Sequence, residues 1–516
     1  MSSTTEPTTS STPAPTIPGR RWITAALMLV MVLASLEATV TSTAMPTIIG
    51  QLHGLEHYAW VASIYLLSST ITMPLYGRLA DILGRKRVIL FAIALFAAGS
   101  IAAAFSQSMG QLILFRAIQG LGAGGIMPVV LTILGDIFTL EERAKIQSVF
   151  SAVWGTSALA GPALGAFLVK TLGWPSIFWV NLPAGFIGLA ILIFKYHDRQ
   201  KPHSTNLDLP GLATLAVGST ALLAAVSLLS GTAAPVWLAL ALLALAVITL
   251  TAFYRIELRA ANPIMSPRLM MQPAIGPAMI VSGLLGLGVF CLDTYVPLFV
   301  QGGMGGDATA AAATVTPVML AWATSSIFAA PLVVRLGFRF MSVIGAAFIL
   351  AGFVGLLICA FFGAPLWAIT AVLFLTGCGF GPSSMACLLS AQDAVAWQQR
   401  GNITSGITFF RNFGGAIGVG AMGALFNFLS AAKLRTVTFG QFATSDLLDH
   451  RRLEDLQKSH PDLLQAAQST IAHGLLWVFV AMLLAAAVQL LFSRFIRAHR
   501  HHQPVTTTEA LASVGE

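Results

Sequence analysis

The sequence predicts an all-α protein that crosses a membrane many times. Of its 516 residues, 56% are hydrophobic and only 9% are charged, and the mean hydropathy is +0.81. Soluble domains carry about 25% charged residues. The apolar residues come in long runs broken by short polar segments, which is the pattern of membrane-spanning helices. We therefore expect a multi-pass membrane protein.

Fourteen runs are long enough to cross a bilayer, which takes about 20 mostly apolar residues. The runs are 22–42, 58–76, 88–106, 109–135, 145–169, 176–194, 209–229, 236–254, 277–300, 313–334, 341–362, 365–390, 402–430 and 471–493. An even number of crossings places both termini on the same side of the membrane.

The basic residues predict that this side is the cytoplasm. With the N-terminus inside, twenty of the 28 Lys and Arg residues fall on inner segments, whereas the short outer loops carry only Lys170. Five more lie in the long segment 431–470, which counts little in the positive-inside rule, and Arg116 and Arg411 lie within runs. The net charge of +8 thus reflects membrane topology and does not indicate nucleic-acid binding.

Polar breaks after the sixth and the eighth run divide the chain into two groups of six runs with one additional pair between them. The predicted parts are a disordered tail at 1–19 without a secretory signal, a six-helix bundle at 20–201, two additional helices with linkers at 202–272, a second six-helix bundle at 273–498 and a tail at 499–516. Within the second bundle, segment 431–470 is expected to form an outer helical hairpin or cap.

A charged string, residues 77–87, separates the second run from the third. We place one helix end near Tyr76 and the next helix start at Val88, so the string is expected to form a tight loop in water at the cytoplasmic face. Asp81 and Arg85 are four residues apart, and they would pair if this loop were helical.

The same string resembles the loop signature of the major facilitator superfamily, G-x-L-A-D-x-x-G-R-K-x. The resemblance implies a fold of two six-helix bundles, here with two extra helices between them. It also implies a conformational gate, in which the aspartate lies against the N-terminus of a neighbouring helix. The gating residues that it implies are Gly77, Asp81, Gly84, Arg85 and Arg87. A loop that only sets membrane topology is the alternative.

The fourth run carries a second similarity to this family. The string that begins at Arg116 resembles R-A-x-Q-G-x-G-A-G, a segment that the family links to proton transfer. An arginine inside a membrane is costly and usually faces a cavity or a partner, and Gly120 and Gly124 permit a close approach of helices. An Arg116 that only ties helices together through carbonyl groups is the alternative.

The fifth run contains Gly161, Pro162 and Gly165. They resemble the G-x-x-x-G-P-x-x-G-G signature that marks antiporters in the superfamily, although Ser157 and Ala166 replace its outer glycines. Small residues at these positions thin the helix surface, so the packing role is kept. Because Gly-Pro pairs are common in membrane helices, packing alone is the alternative.

Two further strings point to one branch of the family. Residues 36–46 resemble the L-D-x-T-x-V-N-x-A-L-P segment of the fourteen-span drug:proton antiporters, with Glu37 in the aspartate position. Residues 177–185 resemble the I-F-x-I-N-x-P-x-G segment of the same branch. The resemblance extends from about Trp22 to Arg497, with its motifs concentrated in the first half.

Glu37 and Asp293 are the two carboxylates that the predicted runs place deep in apolar surroundings. Each lies in the first helix of its half, so we expect them to be pseudo-symmetric partners across a central cavity. Desolvation favours a protonated carboxyl group, and a carboxylate attracts cations, so a proton and a cationic drug can compete for one group. An Asp293 that is merely hydrated at the outer rim is the alternative.

The sequence therefore predicts a proton-coupled antiporter that exports amphipathic, often cationic compounds across the cytoplasmic membrane. An exporter of one endogenous lipid, siderophore or metabolite is the nearest alternative, and a membrane-embedded enzyme or a transport-inactive sensor are more distant ones. The expected partners are small molecules, protons and the bilayer, with no nucleic acid, no cofactor, no metal and a monomeric transport unit. The four cysteines are expected to be packing residues: Cys291, Cys359, Cys378 and Cys387.

Overall fold

A computed structural model describes residues 19–52, 58–198, 208–230, 235–306, 308–396, 399–437 and 461–498. Nearly all of these residues are helical and none is in a β-strand, which confirms the predicted all-α class. The helices are α1 (Arg20–Leu52), α2 (Tyr58–Leu83), α3 (Arg85–Ala104), α4 (Met109–Ile137), α5 (Leu140–Leu172), α6 (Ser176–Trp179), α7 (Asn181–Lys195), α8 (Leu209–Ser230), α9 (Val236–Arg259), α10 (Pro267–Met270), α11 (Gly276–Leu298), α12 (Ala308–Leu336), α13 (Phe338–Phe361), α14 (Leu366–Asp393), α15 (Arg400–Val437) and α16 (Pro461–Ser493).

Each predicted run coincides with a long helix or, for the sixth, with the pair α6 and α7. A π-helical turn, Phe299–Gly303, extends α11. Within the described ranges, eleven helical segments are long and apolar enough to span a membrane. The count of fourteen crossings, the side of the termini and the domain limits stay predictions. The two predicted tails, apart from Gly19, and residues 438–460 of the predicted outer cap lie outside the described residues.

The prediction of an aqueous loop at residues 77–87 is wrong. Helix α2 continues to Leu83 and α3 begins at Arg85, so Gly84 alone separates them. The backbone at Gly84 has φ +94°, a left-handed conformation that favours glycine. Arg85 is fully buried and the Asp81 side chain is only 4% exposed, because both are neutralised by partners on neighbouring helices.

Glycines let the helices of the first half pack closely. A Cβ atom added at Gly120 would lie 2.5 Å from the Tyr65 carbonyl oxygen, and one at Gly124 would lie 2.4 Å from the Ser69 carbonyl oxygen. Helix α4 therefore lies directly against the backbone of α2, as the four-residue spacing of these glycines predicts. The same helix packs against α3 on another face.

The second half repeats the α2–α3 junction. Gly337 has φ +87° and separates α12 from α13 just as Gly84 separates α2 from α3. The string around Gly337, residues 335–339, matches residues 77–87 of the first half but lacks an acidic residue. The glycine turn is therefore kept without the ion pairs of Asp81 and Arg85. Such a repeat is how the halves of parallel-repeat transporters are related.

The two halves meet along α2 with α15 and along α5 with α12. The additional helices α8 and α9 pack on each other, and α8 contacts α15 and α2. We call the end of the molecule that holds the α2–α3 junction, the end of α4 and the start of α15 the predicted inner face. The functional residues described below lie at this face and in the middle of the first half.

Candidate functional site

Glu37 lies at the centre of a buried polar network in the first half. Its side chain is fully buried and forms an ion pair with the guanidinium of Arg116, whose side chain is 3% exposed. The Thr41 hydroxyl donates a hydrogen bond of 2.9 Å to Oε1 of Glu37, and the Asn181 amide donates one to Oε2. Three helices, α1, α4 and α7, therefore supply partners to one carboxylate.

Arg116 is held from several sides. It donates to Gln119 Oε1 at 2.7 Å and to the Val61 carbonyl oxygen at 3.4 Å, and its guanidinium lies 4.2 Å from the centre of the Tyr65 ring. Gln119 Nε2 in turn donates to Ser100 Oγ at 2.7 Å. We refer to Glu37, Thr41, Ser100, Arg116, Gln119 and Asn181 as the Glu37 network.

The buried charges of Glu37 and Arg116 compensate each other. Removing one member of a buried ion pair leaves an uncompensated charge, which costs about 3–5 kcal/mol. The ion pair therefore holds α1 against α4 through opposite charges.

Glu37 and Arg116 are indicated separately by the sequence, and the structure brings them together. Asn181, Gln119 and Ser100 were not predicted as site residues, although Asn181 and Gln119 stand inside the two motif strings. Their signal is an amide or hydroxyl group within a long apolar run, where a polar group needs a partner.

A second cluster joins the two halves at the predicted inner face. Asp81 Oδ2 accepts a hydrogen bond of 2.9 Å from the backbone N–H of Asn402, in the first turn of α15. Asp81 Oδ1 lies 3.1 Å from Arg85 Nη2, and Arg85 Nε lies 2.9 Å from Asp136 Oδ2. We call Asp81, Arg85, Asp136 and Asn402 the junction cluster. An aspartate at a helix N-terminus is favoured by the exposed N–H groups and by the helix dipole.

Of the remaining predicted gating residues, Gly77 and Gly84 lie in close contacts and Arg87 does not. A Cβ atom added at Gly77 would lie 2.0 Å from Ser405 Oγ, so Gly77 permits α2 and α15 to touch. At Gly84 a Cβ atom would meet Asp198 Oδ2 at 2.2 Å. Arg87 is exposed. Glycine is thus required at the α2–α15 contact and at the α2–α3 turn.

The linker between α9 and α10 is held by the carboxylate of Glu257, which the sequence did not indicate as a site residue. Glu257 is 2% exposed, and its two oxygens accept hydrogen bonds of 3.1 Å each from the backbone N–H groups of Ile264 and Met265. Its position at the end of an apolar helix, next to a polar break, gave no sign of burial.

The same linker contacts the junction cluster from outside. Asn402 Nδ2 donates to the Ile264 carbonyl oxygen at 2.7 Å, and Arg78 Nη2 donates to Asn262 Oδ1 at 3.1 Å. Asn402 thus bonds the first half through its backbone and the linker through its side chain. The additional pair of helices is therefore connected to both halves at this face.

Further polar contacts close the predicted inner face. Arg400 Nη1 donates to the Gly135 carbonyl oxygen at 2.8 Å. Gln392 Nε2 donates to the Leu131 carbonyl oxygen at 3.4 Å and to Thr404 Oγ1 at 3.0 Å. The end of α4 is consequently held by α14 and α15 of the other half in this conformation.

Asp293 does not join the Glu37 network. Its side chain is exposed, and no hydrogen bond or ion pair links it to another residue of the described part of the chain. Its depth in the membrane stays a prediction. Its pseudo-symmetry with Glu37 stays a prediction.

The predicted antiporter signature lies on α5. Gly161 and Gly165 are buried, and Pro162 lies between them in the same helix. One turn before Gly161, Ser157 accepts a hydrogen bond of 2.7 Å from Ser35 Oγ of α1. The serine that replaces a signature glycine thus adds a polar tie between α1 and α5, two residues before Glu37 in the sequence of α1.

Comparisons with known proteins agree with this architecture. The chain is 33% identical over 402 residues to the multidrug transporter protein MdtP of Bacillus subtilis (strain 168), covering 78% of this chain and 74% of that protein. It is 29% identical over 491 residues to multidrug resistance protein 3 of the same organism, covering 92% and 94%. The crystal structure of the human organic anion transporter MFSD10 (TETRAN) superposes with a TM-score of 0.60 at 15% identity, covering 91% of this chain and all of that one, which shows the fold alone. The sequence profile of the Major Facilitator Superfamily matches residues 27–419, so the chain belongs to this superfamily of transporters.

Proposed function

We propose that this transporter exports amphipathic, drug-like molecules across the cytoplasmic membrane in exchange for protons, with Glu37 as the proton-carrying group. The observation that supports the proposal most is the buried ion pair of Glu37 with Arg116. The names of the two bacterial relatives, a multidrug transporter and a multidrug resistance protein, support the substrate class.

In this mechanism the charge state of Glu37 selects between conformations. When Glu37 is ionised, Arg116 is neutralised and α1 is held to α4. When a proton binds, the guanidinium loses its counter-charge and keeps only neutral acceptors such as Gln119 Oε1 and the Val61 carbonyl oxygen. The loss of several kcal/mol from the pair shifts the balance between conformations.

The junction cluster acts as the gate at the predicted inner face. In the closed state, Asp81 accepts a hydrogen bond from the start of α15 and Gly77 lets α2 touch Ser405. Opening this face separates α2 from α15 and breaks that hydrogen bond. Rocking of one half against the other then gives alternating access to the space between them.

A flux assay on the purified full-length protein tests the proposal. The protein is reconstituted into liposomes with an internal pH-sensitive dye, and movement of a fluorescent cationic drug is followed under an imposed pH gradient. We expect the wild-type protein to move protons and drug in opposite directions. The Glu37→Gln variant should lose both gradient-driven fluxes, because an amide cannot exchange a proton.

Glu142→Gln serves as the matched control. Glu142 caps α5 together with Thr139 and pairs with Arg20 at a partly exposed site. Glutamine fits the same capping box, and exposed ion pairs contribute little, so this variant should transport like the wild type. Gradient-driven export by Glu37→Gln at the wild-type rate would refute the proposed role of Glu37. Export without proton movement in the wild type would refute antiport.

A further inference from the structure

Arg411 of α15 reaches across the interface between the two halves. Its guanidinium Nη2 lies 3.5 Å from the Met127 sulfur on α4. The next residue, Asn412, places its amide nitrogen 3.7 Å from the Met73 sulfur on α2. Both polar side chains are half-buried, so part of each still faces accessible space.

The depth of Arg411 follows from the helix it touches. Met127 comes eleven residues after Arg116, which is three turns along the same face of α4 and about 16 Å. Gly135, which accepts from Arg400 at the predicted inner face, lies eight residues or about 12 Å further along. Arg411 therefore lies between the Glu37 network and the closed end of the interface.

The charge of Arg411 is not neutralised by any carboxylate of the described part of the chain. A thioether sulfur is a weak acceptor, whereas a guanidinium has five N–H donors. An ionisable side chain inside a membrane protein is costly and usually marks a ligand pathway. Arg116, by contrast, is neutralised by Glu37 and fully surrounded.

Asp293 is the nearest charge of opposite sign along α11. A Cβ atom added at Gly286 would lie 1.8 Å from the Arg411 carbonyl oxygen, so Gly286 is level with Arg411. Asp293 follows seven residues later, which is two helical turns or about 10 Å further from the predicted inner face. A cation and a carboxylate are thus arranged one above the other, too far apart along the helix axis for a direct ion pair.

We infer that Arg411 binds the anionic group of the transported molecule. The substrates then include amphipathic compounds with a carboxylate, sulfonate or phosphate, and a zwitterion can place its amine toward Asp293. The planar guanidinium is suited to two-point binding of such groups, and Met127 and Met73 offer adaptable apolar contacts. This inference rests on the proposed export function, because it assigns a substrate class to the same space between the halves.

Equilibrium binding to the purified protein tests it without any proton gradient. The probes are a rhodamine with a free benzoic acid group and the methyl ester of the same dye, followed by fluorescence anisotropy. We expect Arg411→Gln to weaken binding of the acid at least about tenfold, the loss of a charge-assisted hydrogen bond, and binding of the ester less than about twofold. Arg411→Lys should lie between, because it keeps the charge without the fork.

Arg335→Gln is the matched control, since Arg335 is exposed at the end of α12, and it should leave both affinities unchanged. Equal losses for acid and ester in a folded Arg411→Gln protein would overturn the inference and reduce Arg411 to a tie between α15 and α4. Unchanged affinity for the acid in Arg411→Gln, or no binding of the acid by the wild type, would overturn it as well. Because binding is measured at equilibrium, these outcomes are separate from a failure of proton coupling at Glu37.

Discussion

Replacing Asp81 by asparagine should loosen the closed state of the predicted inner face. Asparagine has the same size but no charge, so the hydrogen bond from the Asn402 backbone N–H changes from charge-assisted to neutral. Charged hydrogen bonds contribute about 1.5–3 kcal/mol and neutral ones about 0.5–1.5 kcal/mol. The midpoints of these ranges differ by about 1.3 kcal/mol, which is close to a factor of ten in an equilibrium constant.

The loss should stay within this range because Arg85 keeps a partner. Arg85 Nε lies 2.9 Å from Asp136 Oδ2, and this ion pair does not involve Asp81, so we expect it to persist in the variant. The ratio of the closed to the open inner face is therefore expected to fall about tenfold, without much loss of affinity for the drug. Transport should become slower, since a gate acts on the balance between states and does not contact the drug.

Distances between spin labels measure this balance directly. Leu83 and Leu336 are exposed at the inner ends of α2 and α12, and labels at both sites in a cysteine-free background report the separation of the halves. Asp462→Asn, an exposed aspartate at the start of α16, is the control of identical chemistry. Distance distributions and turnover equal to the wild type would show that Asp81 does not hold the gate and serves membrane topology alone.

Three further changes should separate the roles of the other carboxylates. Glu37→Asp should retain part of the coupled flux in the liposome assay, because a carboxylate remains one methylene short of Arg116; complete loss would show that distance matters as much as charge. Asp293→Asn should reduce efflux of dicationic dyes more than efflux of monocationic or neutral dyes, because a second positive charge is attracted strongly to a carboxylate in a low-dielectric space. Equal losses for all dyes would assign Asp293 to proton coupling, and no loss would place it outside the transport pathway. Glu257→Gln should lower the free energy of unfolding by about 1–3 kcal/mol in a denaturant titration, because one buried backbone N–H of the linker loses its acceptor. Unchanged stability would mean that a water molecule replaces that acceptor.

The helices and two members of the Glu37 network could be predicted from the sequence, but their contact could not. The length and hydropathy of a run indicate whether that segment can span the bilayer, which is a local property of the sequence. The pairing of Glu37 with Arg116, 79 residues later, depends on how α1 and α4 are rotated about their axes. That rotation is set by packing, for example by Gly120 and Gly124 against α2, and no local pattern encodes it.

The aqueous loop was predicted wrongly for a related reason. Hydropathy treats each charge as solvated, whereas Asp81, Arg85 and Asp136 neutralise one another where three helix ends converge. Asn402 could not be found from the sequence either, because it contributes a backbone N–H. That group is free to donate to Asp81 only because α15 begins at Arg400. Glu257 was missed because its partners are the backbone of the next few residues, which any loop could offer.

The Glu37 network lies entirely within the first half of the molecule. Its six residues come from α1, α3, α4 and α7, and none comes from α11 to α16. Substitutions in the second half can therefore change the substrate range without changing the contacts of the Glu37 carboxylate. The strings that resemble signatures of the family are likewise concentrated before residue 202. If Glu37 carries the proton as proposed, chimeras that exchange α11–α16 between relatives should transport the donor's substrates and keep the proton dependence of the first half.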